Sequence, residues 1–213
     1  MTAPPIDRHF ALRKLHSLLG IVPIGAFLCF HLWENSLAHR GAEYFTEHVV
    51  LKIENMRFVT VMEILFIALP ILFHGIYGLI IWWQSRSNVS QYGYFRNWMY
   101  VLQRITGAIA FVFILLHVWE TRIQVLLGNL PKEDLYEKMI TVFSSTWLQI
   151  WYGIGIAASV IHFANGIWLA LITWGITIGV RSQKISTVVC AGIGVVVFAL
   201  GMGALFGFNP PAN

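Results

Sequence analysis

Five long apolar runs, separated by short polar stretches, take up almost the whole chain. A helix needs about 20 apolar residues to cross a bilayer. The runs cover about residues 15–33, 58–83, 99–119, 146–178 and 185–208, and each meets that length or nearly so. The pattern predicts an all-α integral membrane bundle of five transmembrane helices. Nothing in the sequence marks a linker, so residues 1–213 read as a single membrane domain. Pro70 falls inside the second run, one turn before His74, and predicts a kink there. The fourth run is longer than a bilayer needs, so it must tilt or project.

Composition agrees. Hydrophobic residues make up 57% of the chain and charged ones 11%, with mean hydropathy +0.69. A soluble domain carries about 25% charged residues. The net charge of +4 does not point to nucleic acid, because the basic residues flank the apolar runs. With the N-terminus inside, the inner segments hold eight basic residues (Arg8, Arg13, Lys14, Arg86, Arg96, Arg104, Arg181, Lys184) and the outer segments six. That bias, and the gathering of acids outside, place the N-terminus in the cytoplasm and the C-terminus outside. The expected location is a membrane that bounds the cytoplasm. Trp33, Trp83, Trp98, Trp119 and Trp147 all fall near the predicted interfaces, as aromatic belts do. Cys29 and Cys190 stand in separate apolar runs and read as packing residues; there is no CxxCH for covalent haem attachment.

Four of the five runs each contain one histidine that lipid would reject: His31, His74, His117 and His162. Ionisable groups inside a membrane are rare and usually functional, and imidazole is a common ligand of haem iron. A b haem held by two histidines needs both at one depth on different helices. His31 lies three residues before Glu34 and His117 three before Glu120, each at the outer end of an outward-running helix, so they form an outer pair. His74 and His162 lie deeper and form an inner pair. Glycines share faces with these histidines at helical spacing: Gly78 and Gly166 four residues after His74 and His162, Gly155 seven before His162, and Gly20 eleven before His31. They would clear flat space for a porphyrin, or else serve helix–helix contact.

Three further residues belong to the candidate site. Glu63 sits about six residues into the second run and eleven before His74, a spacing that puts both on the face towards the bundle interior. It is either a carboxylate that handles protons in quinone chemistry or one half of a salt bridge with Arg57 or Arg122. Arg104, at the inner mouth of the third run, suits a haem propionate. His16, at the inner mouth of the first, reads first as an interfacial residue and second as a propionate or quinone contact.

The strings RKLHSLLG, RGAEYF, QYGYFRNWMYVLQRITG, HVWETRI, HFANGIWLALITWGIT and RSQKIST resemble the di-haem cytochrome b subunit of bacterial succinate dehydrogenase. The likeness is to the five-helix, single-anchor type of menaquinone-using Gram-positive bacteria, and runs from about Arg13 to Thr187. It implies two b haems, a flavoprotein subunit and an iron–sulfur subunit as partners, and menaquinone as electron acceptor. Electrons would pass from the iron–sulfur subunit through the inner and then the outer haem to menaquinone. The family's ligands map onto His31, His74, His117 and His162. Some related fumarate reductases carry a glutamate just before the last ligand; Val160 and Ile161 stand there in this chain. Two other readings are a di-haem cytochrome b of a different dehydrogenase or a fumarate reductase, and a membrane protein whose histidines relay protons or pack.

Overall fold

The computed structural model describes residues 8–208. Among these residues every regular element is helical. Five helices are long and apolar enough to span a membrane: α1 (Arg8–Arg40), α2 (Val59–Gln84), α3 (Phe95–Leu126), α4 (Thr146–Thr173) and α5 (Val180–Gly207).

The ends of these helices move away from the hydropathy boundaries for local reasons. α1 and α3 run past their apolar stretches at both ends, because a helix continues into the interface wherever its backbone bonds are made. The fourth apolar run, expected to reach residue 178, ends as helix at Thr173. Gly175 has φ of +73°, the left-handed conformation glycine adopts without a Cβ clash. The Ile176 N–H then bonds the Leu171 carbonyl at 2.9 Å and the Gly175 N–H the Ile172 carbonyl at 3.0 Å. That is a Schellman stop, and it satisfies carbonyls the helix end would orphan. α5 consequently starts at Val180, and the connection lies before Gly179 rather than from Gly179 to Gln183.

Two prolines shape the first two spans. Pro23 has no N–H, and it divides α1 into segments Arg8–Ile21 and Pro23–Ser36. The inner segment lies against the Leu69–Gln84 part of α2, while the outer segment lies along α5. In α2 the response to Pro70 is a π-helical turn, Ile64–Ala68, directly ahead of the proline. A second π turn, Trp119–Ile123, follows His117 in α3.

α4 is the centre of the bundle and packs along both α3 and α5. α2 is the most peripheral span. Among the described residues the tight apolar core lies at one end of the bundle. There the segment after Gly41 and the helix Leu135–Phe143 fold over the spans, and Phe45, Val49, Phe143 and Tyr152 are buried with Phe208. Towards the other end the spans expose Leu, Ile, Val and Phe side chains, as lipid-facing helices do. The five interfacial tryptophans are all exposed.

Candidate functional site

The four intramembrane histidines meet as two pairs. The ring centres of His31 (α1) and His117 (α3) are 5.8 Å apart, and those of His74 (α2) and His162 (α4) are 5.9 Å apart. These are the pairs expected from depth. His162 packs on the stretch of α3 between Gln103 and Gly107, whereas His117 lies ten residues beyond Gly107. At 1.5 Å per residue the two sites are separated by about 15–21 Å along α3.

Each ring is held by its second nitrogen. His74 Nδ1 lies 2.9 Å from the carbonyl oxygen of His16, and His162 Nδ1 lies 2.9 Å from that of Gln103. A carbonyl can only accept, so Nδ1 carries the proton in both rings. Nε2 is then left as the lone pair that a metal needs. In the outer pair the partners are side chains. His117 Nδ1 is 3.2 Å from the buried Tyr152 hydroxyl, and His31 Nδ1 is 3.3 Å from the Asn35 amide nitrogen.

The residues fit a six-coordinate iron porphyrin. Histidine nitrogens bind transition metals at about 2 Å, so two rings on opposite sides of one iron stand about 6 Å between centres. Both pairs meet that spacing. Among the described residues there is no cluster of three or more His, Cys, Asp or Glu that would hold a bare ion instead.

Of the two jobs their spacing suggested, the glycines do the second, admitting side chains of neighbouring helices. None clears space beside its own histidine. Gly20 faces the ring of His74, and Gly78 faces His16, where an added Cβ would stand 3.2 Å from Nε2. Gly155 admits Phe113, and Gly166 faces the Gln103 amide at 3.3 Å. The break at Pro23 and the closeness of neighbouring helices explain this: face-sharing along one rod says nothing about what the next rod inserts. Gly107, which the spacing argument missed, is the partner of His162; its Cβ would stand 2.7 Å from the imidazole. Gly107→Ala is therefore expected to push the His162 ring off its present position, at an overpacking cost of about 1–3 kcal/mol. Loss of the second b-type absorption band in the purified variant would register it, and unchanged spectra would show that the ring has room to move.

His16 is more than an interfacial residue. Its ring stacks on that of His74, with centres 4.0 Å apart and planes 5° from parallel, while its carbonyl accepts the His74 proton. Gln103 and Asn165 were not singled out from the sequence, yet they organise the inner pair. The Asn165 amide donates to Gln103 Oε1 at 2.7 Å, and the Gln103 amide donates to the His162 carbonyl at 3.1 Å. Isolated amides in apolar runs were the available signal.

Glu63 lies at the outer side in an ion-paired cluster. Arg122 reaches its Oε2 from both Nε (3.0 Å) and one terminal nitrogen (2.7 Å), and the other terminal nitrogen reaches Glu54 at 2.5 Å. Of the two partners the sequence offered, the structure takes Arg122. The expectation that Glu63 shares a face with His74 assumed eleven residues of continuous α-helix. The π turn Ile64–Ala68 breaks that register. Arg104 stands at the other end, half-buried over the Tyr100 ring, with Nε on Ser85 Oγ at 3.0 Å and one terminal nitrogen on the Tyr100 carbonyl at 2.8 Å.

Comparisons with known proteins bear on this arrangement. Residues 84–201 match the family model described as succinate dehydrogenase/fumarate reductase transmembrane subunit. The chain is 42% identical over 202 residues to the succinate dehydrogenase cytochrome b558 subunit of Bacillus subtilis (strain 168), covering 95% of this chain and 98% of that one. A match over more than half the chain, together with a relative that aligns end to end, settles the membership. This five-helix protein belongs to the family of transmembrane subunits of succinate dehydrogenase and fumarate reductase.

Proposed function

We propose that this chain anchors a succinate:quinone oxidoreductase in the bacterial cytoplasmic membrane and carries electrons across it through two b haems to menaquinone. The observation that carries the reading is the double pairing of histidines, His74 with His162 and His31 with His117, at two levels of one bundle. Succinate chemistry would lie on a flavoprotein subunit, with an iron–sulfur subunit docking at the inner side, where the chain begins. When bound, each haem supplies a one-electron carrier.

The chain's own residues do the rest. The His16 and Gln103 carbonyls fix the inner rings as Nδ1–H tautomers, so Nε2 of each would be free to hold an iron. Arg104 places positive charge at the inner mouth, where a propionate would need it, and His16 covers the back of His74. Tyr152 and Asn35 orient the outer rings. Glu63, beside Arg122, would pass a proton to quinone near the outer pair.

A reduced-minus-oxidised spectrum of the purified complex, with haem counted per chain, tests this directly. Two b haems per chain are expected; none would overturn the reading. Removing a partner of Nδ1 should act on one site only. Tyr152→Phe is expected to weaken haem retention at the His31–His117 level by about 10–100-fold, the usual effect of losing an outer-shell partner, with the inner site unchanged. Because electrons would cross the membrane, each 100 mV of potential would change the energy of the transfer by about 2.3 kcal/mol. Collapsing the potential in intact cells should therefore change the rate of succinate oxidation by menaquinone.

A further inference from the structure

One groove in the bundle is lined by none of the four paired histidines. It lies between α3, α4 and α5, towards the end that carries the loop after Gln84 and the Gly175 turn, and has a volume of about 470 Å³. Phe95 and Leu102 form one wall, Ala164 and Trp168 the floor, and Ala191 and Phe198 the other wall. This is the size of a ligand cleft, about 300–1,000 Å³.

The groove's chemistry narrows its occupant. Its amide, hydroxyl and indole side chains have committed their protons, the Trp168 indole to the Gln183 carbonyl at 3.4 Å. The Asn165 amide donates to the Met99 carbonyl at 3.1 Å and to Gln103 Oε1 at 2.7 Å, and the Thr187 hydroxyl donates to the Gln183 carbonyl at 2.8 Å. Within the groove a quinone carbonyl would find only the weak donor of the Cys190 thiol, whereas a hydrocarbon chain needs none.

The groove's mouth is cationic. Arg96 stands one turn before Met99 on α3, and Lys184 one turn before Thr187 on α5, so both lie on the helix faces that line the groove. Arg96 donates to the Gln183 side-chain oxygen, which draws its guanidinium against the first turn of α5. Among the described residues neither cation has a carboxylate within ion-pair distance; all four ion pairs lie at the opposite end or join other residues.

We propose that this groove binds one acyl chain of an anionic glycerophospholipid, whose phosphate is held between Arg96 and Lys184. Basic pockets between membrane helices recognise anionic head groups in this way. The inference needs only the helix bundle and stands whether or not haem is bound.

The test uses the whole detergent-purified complex, stripped of lipid and titrated with dioleoyl phosphatidylglycerol or dioleoyl phosphatidylcholine, with adducts counted by native mass spectrometry. Wild type should retain one phosphatidylglycerol in preference to phosphatidylcholine. Each cation near an anionic lipid contributes about fivefold in affinity, so Arg96→Gln with Lys184→Gln should erase roughly thirtyfold of that preference. Ala191→Trp keeps both charges and fills the groove; it should lose the bound lipid while the b-type spectrum stays intact. The proposal fails if both variants bind phosphatidylglycerol as wild type does. It fails equally if the charge variant sheds the partner subunits while Ala191→Trp still retains the lipid, because the cations would then serve a protein contact.

Discussion

His162→Ala should leave the complex one b haem short of the two proposed per chain, and the haem that remains should be the one between His31 and His117. The argument is geometric. His162 and His74 face each other with ring centres 5.9 Å apart, and each ring is locked by a main-chain carbonyl on its Nδ1. The other imidazole at this level, His16, is engaged with His74. His16 lies parallel to His74 in a stack, so its ring is alongside the pair and not opposite it. Loss of an outer-shell partner alone costs about 10–100-fold in metal retention, so loss of the ligand itself should exceed that. The same band should vanish in His74→Ala, and the other band in both His31→Ala and His117→Ala. Difference spectra of the four variants check it. If the losses grouped His31 with His74 instead, the pairing would be wrong even though haem was present.

Glu63→Gln should cut quinone reduction by about 100-fold or more, the usual contribution of a positioned proton-transfer group. Succinate should still reduce both haems in this variant, because the ligands are untouched. The competing reading makes Glu63 a structural partner of Arg122. The cluster is not deeply buried: the side chains of Arg122, Glu54 and Glu63 are 20%, 17% and 28% exposed. Arg122 keeps Glu54 in either case. A structural role therefore predicts a small fall in thermal stability with near-normal quinone turnover. Stopped-flow haem reduction measured alongside quinone reduction separates the outcomes: normal rates for both would remove Glu63 from the chemistry.

The family resemblance carried by strings such as HVWETRI and HFANGIWLALITWGIT is confirmed by the family match. The histidine pairing was legible because depth is a one-dimensional quantity. Counting from a charged collar to a histidine needs only the helical rise, and both outer histidines stand three residues before a glutamate. Arguments about helix faces fared worse. They need an unbroken 100° per residue, and this chain interrupts it at Pro23 and at the π turn before Pro70. Gly20 thus faces His74 on another helix, and Glu63 meets Arg122 on α3.

The sequence by itself determined the number of spans, their apolar character, the four histidines and their two levels, because lipid imposes length and hydropathy on each helix separately. What the tertiary structure decided is contact between helices. It set the carbonyls of His16 and Gln103 behind the inner rings, Tyr152 behind His117, Gly107 beneath His162, and Arg122 between two glutamates. Those partners come from residues 35 to 68 positions away in the chain, and only the packing angles of whole helices bring them within hydrogen-bond reach.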